Sequence, residues 1–425
     1  MKRYNFSMFI IIYGLILALI LSACAPEEMS VEVHESEPEP VSFHHYFSGP
    51  LSGGIDDLVN RYNLNQSKYH LNAVPIDHEA YKVNILESFS TGTPSDINTY
   101  WAGARTQSVL EYLEPLDLVF EQNNIAQEFP RALLESASKY EGHYYLIPIT
   151  QHYVTFYYNV ETFEALGLAE PTTWDEFTQV CETLKTNGVT PIGLGAKDRW
   201  PAQFWFDYLL LRTAGYQYRT GLMELDNNYN DPEVARVIEI WKDMIDKGYF
   251  NNMATEIGWD IDIMNPLMDG DIGMTLMGTW FSSILDQEGF GGQYGVFSFP
   301  VIDSEVSYTS VGPVDGVILG KDALNKEGAK DAILQFSELT NQIEMGMGSG
   351  AFVPNRKTPD NVYDELHLKM LKDMNRSKYW AFNYDLATSP ELAEEGLDFF
   401  IEFLNFPDAY ETLLDDLTKA TKQLK

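Results

Sequence analysis

The chain reads as an α/β protein with at least two lobes, and three observations predict this. Strand and helix signals alternate from Val41 onward, the order that builds parallel sheets with helices on both faces. The length of 425 residues exceeds what one core organises at roughly 100–200 residues per domain. Hydrophobic residues make up 45% and charged residues 21%, a balance that supports packed cores rather than disorder.

The first element is a leader. Lys2 and Arg3 precede an apolar run of 14 residues from Met8 to Leu21, interrupted only by Tyr13 and Gly14. A membrane-spanning helix needs about 20 residues, so residues 1–23 read as a secretion signal. Leu21-Ser22-Ala23-Cys24 resembles the lipobox of bacterial lipoproteins, which implies cleavage before Cys24 and lipid on its sulfur. The alternative is an ordinary signal peptide with an incidental cysteine. Under the lipobox reading the mature chain is anchored by lipid at the extracellular face of the cell membrane. Residues 24–40 are dominated by proline and glutamate with no repeating apolar face, and read as a disordered tether.

Ordered elements then follow. Val41-Ser-Phe43 is a short strand signal, and Ile55, Leu58, Val59 and Tyr62 predict a helix over Gly53–Asn63. Leu71-Asn-Ala-Val74 is the next strand. Ala80–Ser90 is a helix with Val83, Leu86 and Phe89 on one side, and Asp96–Trp101 is extended again. Thr173-Trp-Asp-Glu176 is a capping box that opens a helix with Phe177, Val180, Cys181 and Leu184 inward, closed by Asn187-Gly188. Asp231-Pro232-Glu233 starts another, with Asp231 as cap and a buried stripe of Val234, Val237, Ile238, Trp241 and Ile245.

Charge and cysteine use narrow the function. The net charge is −35, which repels nucleic acid and anionic lipid heads and excludes both as partners. Only two cysteines are present. If Cys24 carries lipid, Cys181 has no partner, and its helical spacing marks it as a packing thiol.

The order of short motifs is informative. Gly92-Thr-Pro-Ser-Asp-Ile97, Leu113-Glu-Pro-Leu-Asp-Leu118, Tyr140-Glu-Gly-His-Tyr-Tyr-Leu-Ile-Pro148 and Tyr157-Tyr-Asn159 are followed by Leu166–Phe177. Met268-Asp-Gly-Asp-Ile-Gly-Met274, Met277-Gly-Thr-Trp280, Gly295-Val-Phe-Ser-Phe-Pro300 and Ala351-Phe-Val-Pro354 come later. Together they resemble the family 1 extracellular solute-binding proteins of ABC importers, over about residues 41–410. The resemblance implies a two-lobe periplasmic-binding-protein-like fold, with hinge segments and ligand held between the lobes. By that resemblance lobe 1 spans 41–151 and 295–340, and lobe 2 spans 152–294 and 341–425. It also implies a monomer that binds a carbohydrate and delivers it to ABC permease subunits by hinge closure.

Aromatic residues form 13% of the chain, with 8 Trp and 25 Tyr. Flat rings cover the apolar face of a sugar, while Asp, Asn, His and Arg bond its hydroxyl rim. Trp280 occupies the family's Gly-x-Trp position, which stacks on sugar; ordinary strand-end packing is the alternative. His44 and His45, with Tyr46, follow the first strand, where carboxyl ends of parallel strands line a crevice; a solvated loop is the alternative. Tyr100 and Trp101 stand where relatives carry a stacking aromatic, and strand alternation lets only one face the cleft. His152 lies at the first lobe crossing, as ligand contact or hinge packing. Asp198, Arg199 and Trp200 follow the glycine-punctuated Gly193-Leu-Gly-Ala-Lys197, with a surface ion pair as the alternative for the first two. Asp315 sits in Gly312-Pro-Val-Asp-Gly316 and either bonds ligand or sets a turn. Trp259 and Trp380 are weaker candidates.

Catalytic and metal signals are poor. There is no His-Glu-x-x-His, Gly-x-Ser-x-Gly, phosphate loop or dinucleotide fingerprint. Asp226–Asp231 echoes a calcium loop but lacks its glycine and its bidentate Glu. No cofactor, metal or enzymatic activity is expected. A sensory or adhesive surface lipoprotein and a glycoside hydrolase are the competing functions.

Overall fold

The computed structural model describes residues 37–424. The predicted signal, Cys24 and most of the predicted tether lie outside the described residues. Strand β1 is Glu39–His45, starting two residues before the expected Val41. Its parallel register with β2, Tyr69–Pro75, pairs Glu39 with Tyr69 and so recruits the end of the expected tether. Pro40 is tolerated there because β3, Ile97–Trp101, pairs only with Phe43 and His44.

A short hairpin, β4 (Lys139–Tyr140) and β5 (His143–Tyr144), precedes β6, Leu146–Gln151. Strands β7 (Val154–Asn159), β8 (Thr190–Gly193), β9 (Ile272–Gly278) and β10 (Tyr294–Phe297) follow. The remaining strands are β11 (Thr309–Val311), β12 (Val314–Leu319) and β13 (Tyr379–Ala381). They form two principal sheets, ordered β2-β1-β3-β12-β6 and β10-β7-β9-β8. Each sheet anchors its own hydrophobic core, one built around Val41, Phe43 and Ile97, the other around Phe156, Trp205 and Trp241. Strand β12 runs antiparallel to both β3 and β6.

The helices follow the expected signals closely. Gly53–Asn65 and His78–Ser90 are both helical, the second capped by the Asp77 carboxylate. Its buried side differs from the expectation. Tyr81, Ile85 and Phe89 pack inward, whereas Val83 and Leu86 are exposed. The Thr173 capping box forms as read, with Thr173 and Glu176 bonding each other's backbone. Asp231 occupies the N-cap position of helix Pro232–Asp246 without capping it. Its carboxylate instead accepts from Tyr218 Oη and Asn228 N, both at 3.1 Å.

Among the described residues the chain passes between the cores three times. β6 leads into β7 through His152 and Tyr153, and β11 leads into β12 through Gly312 and Pro313. Helix Leu339–Ser349 leads on to Phe352. The three passages are bonded to one another. Gln151 and Phe352 exchange backbone hydrogen bonds of 2.9 and 2.8 Å, and His152 N donates to Pro313 O at 3.0 Å. A Cβ on Gly312 would lie 1.8 Å from the His152 carbonyl oxygen, so only glycine permits this approach.

Two stretches pack differently from the expected division. Residues 295–297 pair with Tyr158, Tyr157 and Phe156 in the β7 sheet, so the first core is rejoined only at Val314. Residues 341–349 stay with the first core. Their helix lies against helix Gly53–Asn65, where a Cβ on Gly54 would be 2.4 Å from Glu344 O, and Met345 is buried in that core.

Candidate functional site

A cavity of about 480 Å3 lies between the two cores. On the first core's side, β1 and β3 end beside each other. Tyr46, one residue past β1, stacks on Trp101, the last residue of β3, with ring centroids 4.4 Å apart and planes 5° from parallel. Asp315 is the register partner of Trp101 on β12. A register shift between Asp315 and Gly316 breaks the pairing to β6 there, the kind of irregularity that re-aims a side chain.

Asp315 is 3% exposed and well satisfied. It accepts from Tyr46 Oη at 2.7 Å and Thr150 Oγ1 at 2.6 Å. Burial, and then the Asp315 charge, push the Tyr46 phenol pKa well above its ordinary value. His152 Nε2 faces Asp315 Oδ2 at 3.4 Å, and its Nδ1 lies 2.9 Å from Thr279 Oγ1. Tyr153 N donates to that same oxygen at 3.4 Å. Assigning the Thr279 proton to His152 Nδ1 places the ring proton on Nε2, toward Asp315. Burial pushes the His152 pKa down to about 4, against the pull of Asp315, so the ring is neutral.

The second core supplies three indoles. Trp200 opens helix Trp200–Thr213, every residue of which is buried. Trp280 opens the helix that follows β9, and its ring folds back over Gly278, where a Cβ would come within 2.1 Å of the indole. Trp259 is brought close by loop glycines, a Cβ on Gly195 falling 2.1 Å from Gly258 O. The Trp200 ring lies 5.4 Å from Trp259 and 5.8 Å from Trp280, inclined by 60° and 70°. The His152 and Trp280 rings meet in a T-shape with centroids 5.2 Å apart, which ties the hinge to this aromatic wall.

Charge gathers at the mouth. Glu79 is subject to burial, which raises its pKa, but the His78 hydrogen bond and the Lys82 charge outweigh this and hold it at about 2. Asp198 is shifted up by burial and by Glu79. On the rim, Gln287 Nε2 donates to Pro50 O at 2.7 Å and joins the two sides.

Of the predicted residues, Trp101, His152, Asp198, Trp200, Trp280 and Asp315 line this cavity, and Trp259 joins them. Four do not. His45 is fully buried against Phe43, centroids 5.0 Å apart, because β1 continues through it and turns it into the core. His44 is half-buried, still within β1. Tyr100 points into the first core toward Phe89, since strand alternation gives the cleft to Trp101. Arg199 is spent on a surface ion pair, with Glu394 at 2.7 Å and Asp398 at 2.6 Å. Trp380 packs on the hinge, its Nε1 donating to Gly312 O at 3.0 Å.

Several cavity residues carried no sequence signal that pointed here. Arg105 sits just after β3, and Asn383 and Asp385 lie near the start of the short helix Tyr384–Ala387. Tyr46 stands out in the sequence only beside the paired histidines.

Two α/β cores linked by three bonded passages, with an aromatic-walled cavity between them, define a two-lobed solute-binding protein. The chain belongs to the bacterial extracellular solute-binding proteins, whose family model matches residues 51–333. A relative from Pyrococcus horikoshii, an uncharacterised ABC transporter extracellular-binding protein, is 22% identical over 391 residues, covering 89% of this chain and 86% of the relative. A probable sugar-binding periplasmic protein of Rhizobium meliloti is 24% identical over 258 residues, 57% of this chain and 58% of the relative. Among solved structures, a bacterial solute receptor with an exclusive preference for β-D-galactopyranose superposes with a TM-score of 0.84 at 22% identity, covering 91% of this chain and 99% of that one. A chitin oligosaccharide binding protein gives 0.83 at 22% identity, with the same shares covered. Among the described residues no helix is long and apolar enough to cross a membrane.

Proposed function

We propose that this chain is the carbohydrate receptor of an ABC importer. It clasps a sugar between two lobes that move about the three bonded passages, and presents the closed form to the permease. The observation that carries this reading is the pair of facing aromatic walls, Tyr46 on Trp101 on one side and Trp200, Trp259 and Trp280 on the other. The cavity volume of about 480 Å3 falls within the ~300–1,000 Å3 of small-ligand sites, room for a sugar of one to a few units. The chain binds this ligand without turning it over, as a monomer, and is held at the outer face of the membrane by lipid on Cys24. The names of the relatives, several of which are sugar-binding proteins, favour the same reading.

Calorimetry of the soluble chain from residue 25, against mono- and oligosaccharides, tests it. One-to-one binding of at least one sugar is expected. Trp280→Ala should weaken that binding about tenfold, a lost stacking contact of ~1.5 kcal/mol. If no sugar binds, the reading fails; if the variant binds as well as the parent, Trp280 is not a ligand contact.

A further inference from the structure

One wall of the cleft carries polar groups that the protein itself leaves unpaired. Arg105 Nε, Asn383 Oδ1 and Asp385 Oδ1 are buried with no hydrogen-bond partner. Their residues are 9%, 6% and 5% exposed, and all three line the cavity. A buried polar group without a partner is costly to keep, so its persistence in a cleft points to a partner that arrives from outside.

The three groups are also held in place. The Arg105 guanidinium lies 5.7 Å from the Trp101 ring centroid, and its Nη2 is 3.5 Å from Asp385 Oδ2. Gly103, at φ 98°, makes this possible, since a Cβ there would be 2.3 Å from Leu386 O. Asn383 is clamped through the backbone on both sides by a buried ion pair. Arg219 Nη2 donates to Phe382 O at 2.6 Å, and Asp207 Oδ2 accepts from Tyr384 N at 2.9 Å. Arg219 Nε and Nη2 in turn bond Asp207 Oδ1 at 2.8 and 2.6 Å. The Asp385 amide donates to Gln203 Oε1 at 2.8 Å. The wall is thus a fixed set of one donor and two acceptors.

Two neighbouring hydroxyls match that set. Each O–H donates once, to Asn383 Oδ1 and Asp385 Oδ1, and one of the oxygens accepts from Arg105 Nε. A carboxylate does not match. It has no proton for the two acceptors, and the Arg105 guanidinium is already shared with Asp385. Lys82 pairs with Glu79 at 3.0 Å, which leaves Asp198 and Asp260 to add negative charge around the same cavity, and like charges in a partly desolvated cleft repel strongly.

We propose that Arg105, Asn383 and Asp385 clamp a pair of adjacent hydroxyls on an uncharged sugar ring, and that this wall rejects sugar acids. The proposal rests on carbohydrate binding in this cleft. The probes are D-galactose, D-glucose, xylotriose, chitotriose and raffinose, with D-galacturonate, D-glucuronate and N-acetylneuraminate as the acids, titrated into the soluble chain.

At least one neutral sugar should bind, and every acid should bind at least about 100-fold more weakly than it. Asn383→Ala and Asp385→Asn should each weaken the bound neutral sugar about 30-fold with the thermal midpoint of the free chain retained. Asn383→Ala breaks no ion pair, so its result decides the matter if Asp385→Asn fails to fold. Unchanged affinity in Asn383→Ala, with Trp280→Ala still weakened, overturns the clamp and leaves carbohydrate binding intact. An acid that binds more tightly than every neutral sugar overturns the charge selection, and no sugar binding at all overturns both readings.

Discussion

Acid should unfold this protein through two histidines that have been shut away from water. His45 is 0% exposed and His152 is 4% exposed. Burial lowers both pKa values to about 4. In an unfolded chain an imidazole titrates near ~6.5. Between these values the unfolded state holds a proton that the folded state does not, so stability falls as pH falls. The slope is about 1.4 kcal/mol per pH unit for each ring. The loss begins as pH drops through the unfolded value, is complete near pH 4 for groups at about 4, and amounts to roughly 3 kcal/mol per ring. The perturbation is the pair of substitutions His45→Leu and His152→Gln. The first suits a ring whose nitrogens have no partner. The second keeps a polar group beside Thr279 and Asp315. Urea unfolding followed by tryptophan fluorescence and circular dichroism, from about pH 7 to about pH 4.5, measures the stability of both proteins. The parent curve should fall more steeply than the double variant's by roughly 2–3 kcal/mol per pH unit between about pH 6 and about pH 4.5. Parallel curves would refute the reasoning, because they would mean the rings are as protonated folded as unfolded.

Two further outcomes are expected. Gln287→Ala removes the bond to Pro50 O across the rim, about 1 kcal/mol, so a bound sugar should dissociate about fivefold faster in stopped flow; an unchanged rate would show that this bond is not part of the closed form. The chain extracted from membranes should carry a lipid-sized mass increment on an N-terminal Cys24 peptide, and Cys24→Ala should release it to the medium; a soluble parent chain with unmodified Cys24 would contradict the anchor.

Much of the fold was legible because its signals are local. The Thr173 box, the glycine closing its helix and the apolar stripe of Pro232–Asp246 depend on residues within a turn or two of each other. Misreadings arose where another group competes for a side chain or where the partner strand is distant. Asp231 has the type and place of a cap, but Tyr218 and Asn228 claim its carboxylate. Residues 295–297 read as a return to the first lobe until β7 is seen to take them as its edge. In the site, Trp101, Trp200 and Trp280 could be found because each stands at the end of a strand or the start of a helix. His45 was misplaced because β1 runs two residues past Phe43. Asn383 and Asp385 were invisible, since nothing in their own segment shows that Arg219 and Gln203, more than 160 residues earlier, hold them to the cleft.

The placement of β12 has a consequence for biogenesis. It fills the slot between β3 and β6, yet the polypeptide supplies it only after the whole β7 sheet has been laid down. A nascent chain that has just delivered β6 therefore leaves β3 and β6 each with an open edge and no strand to join them. Long-range closure of this kind is slow and invites sticking to other chains. The first sheet can seal only once that late strand has arrived.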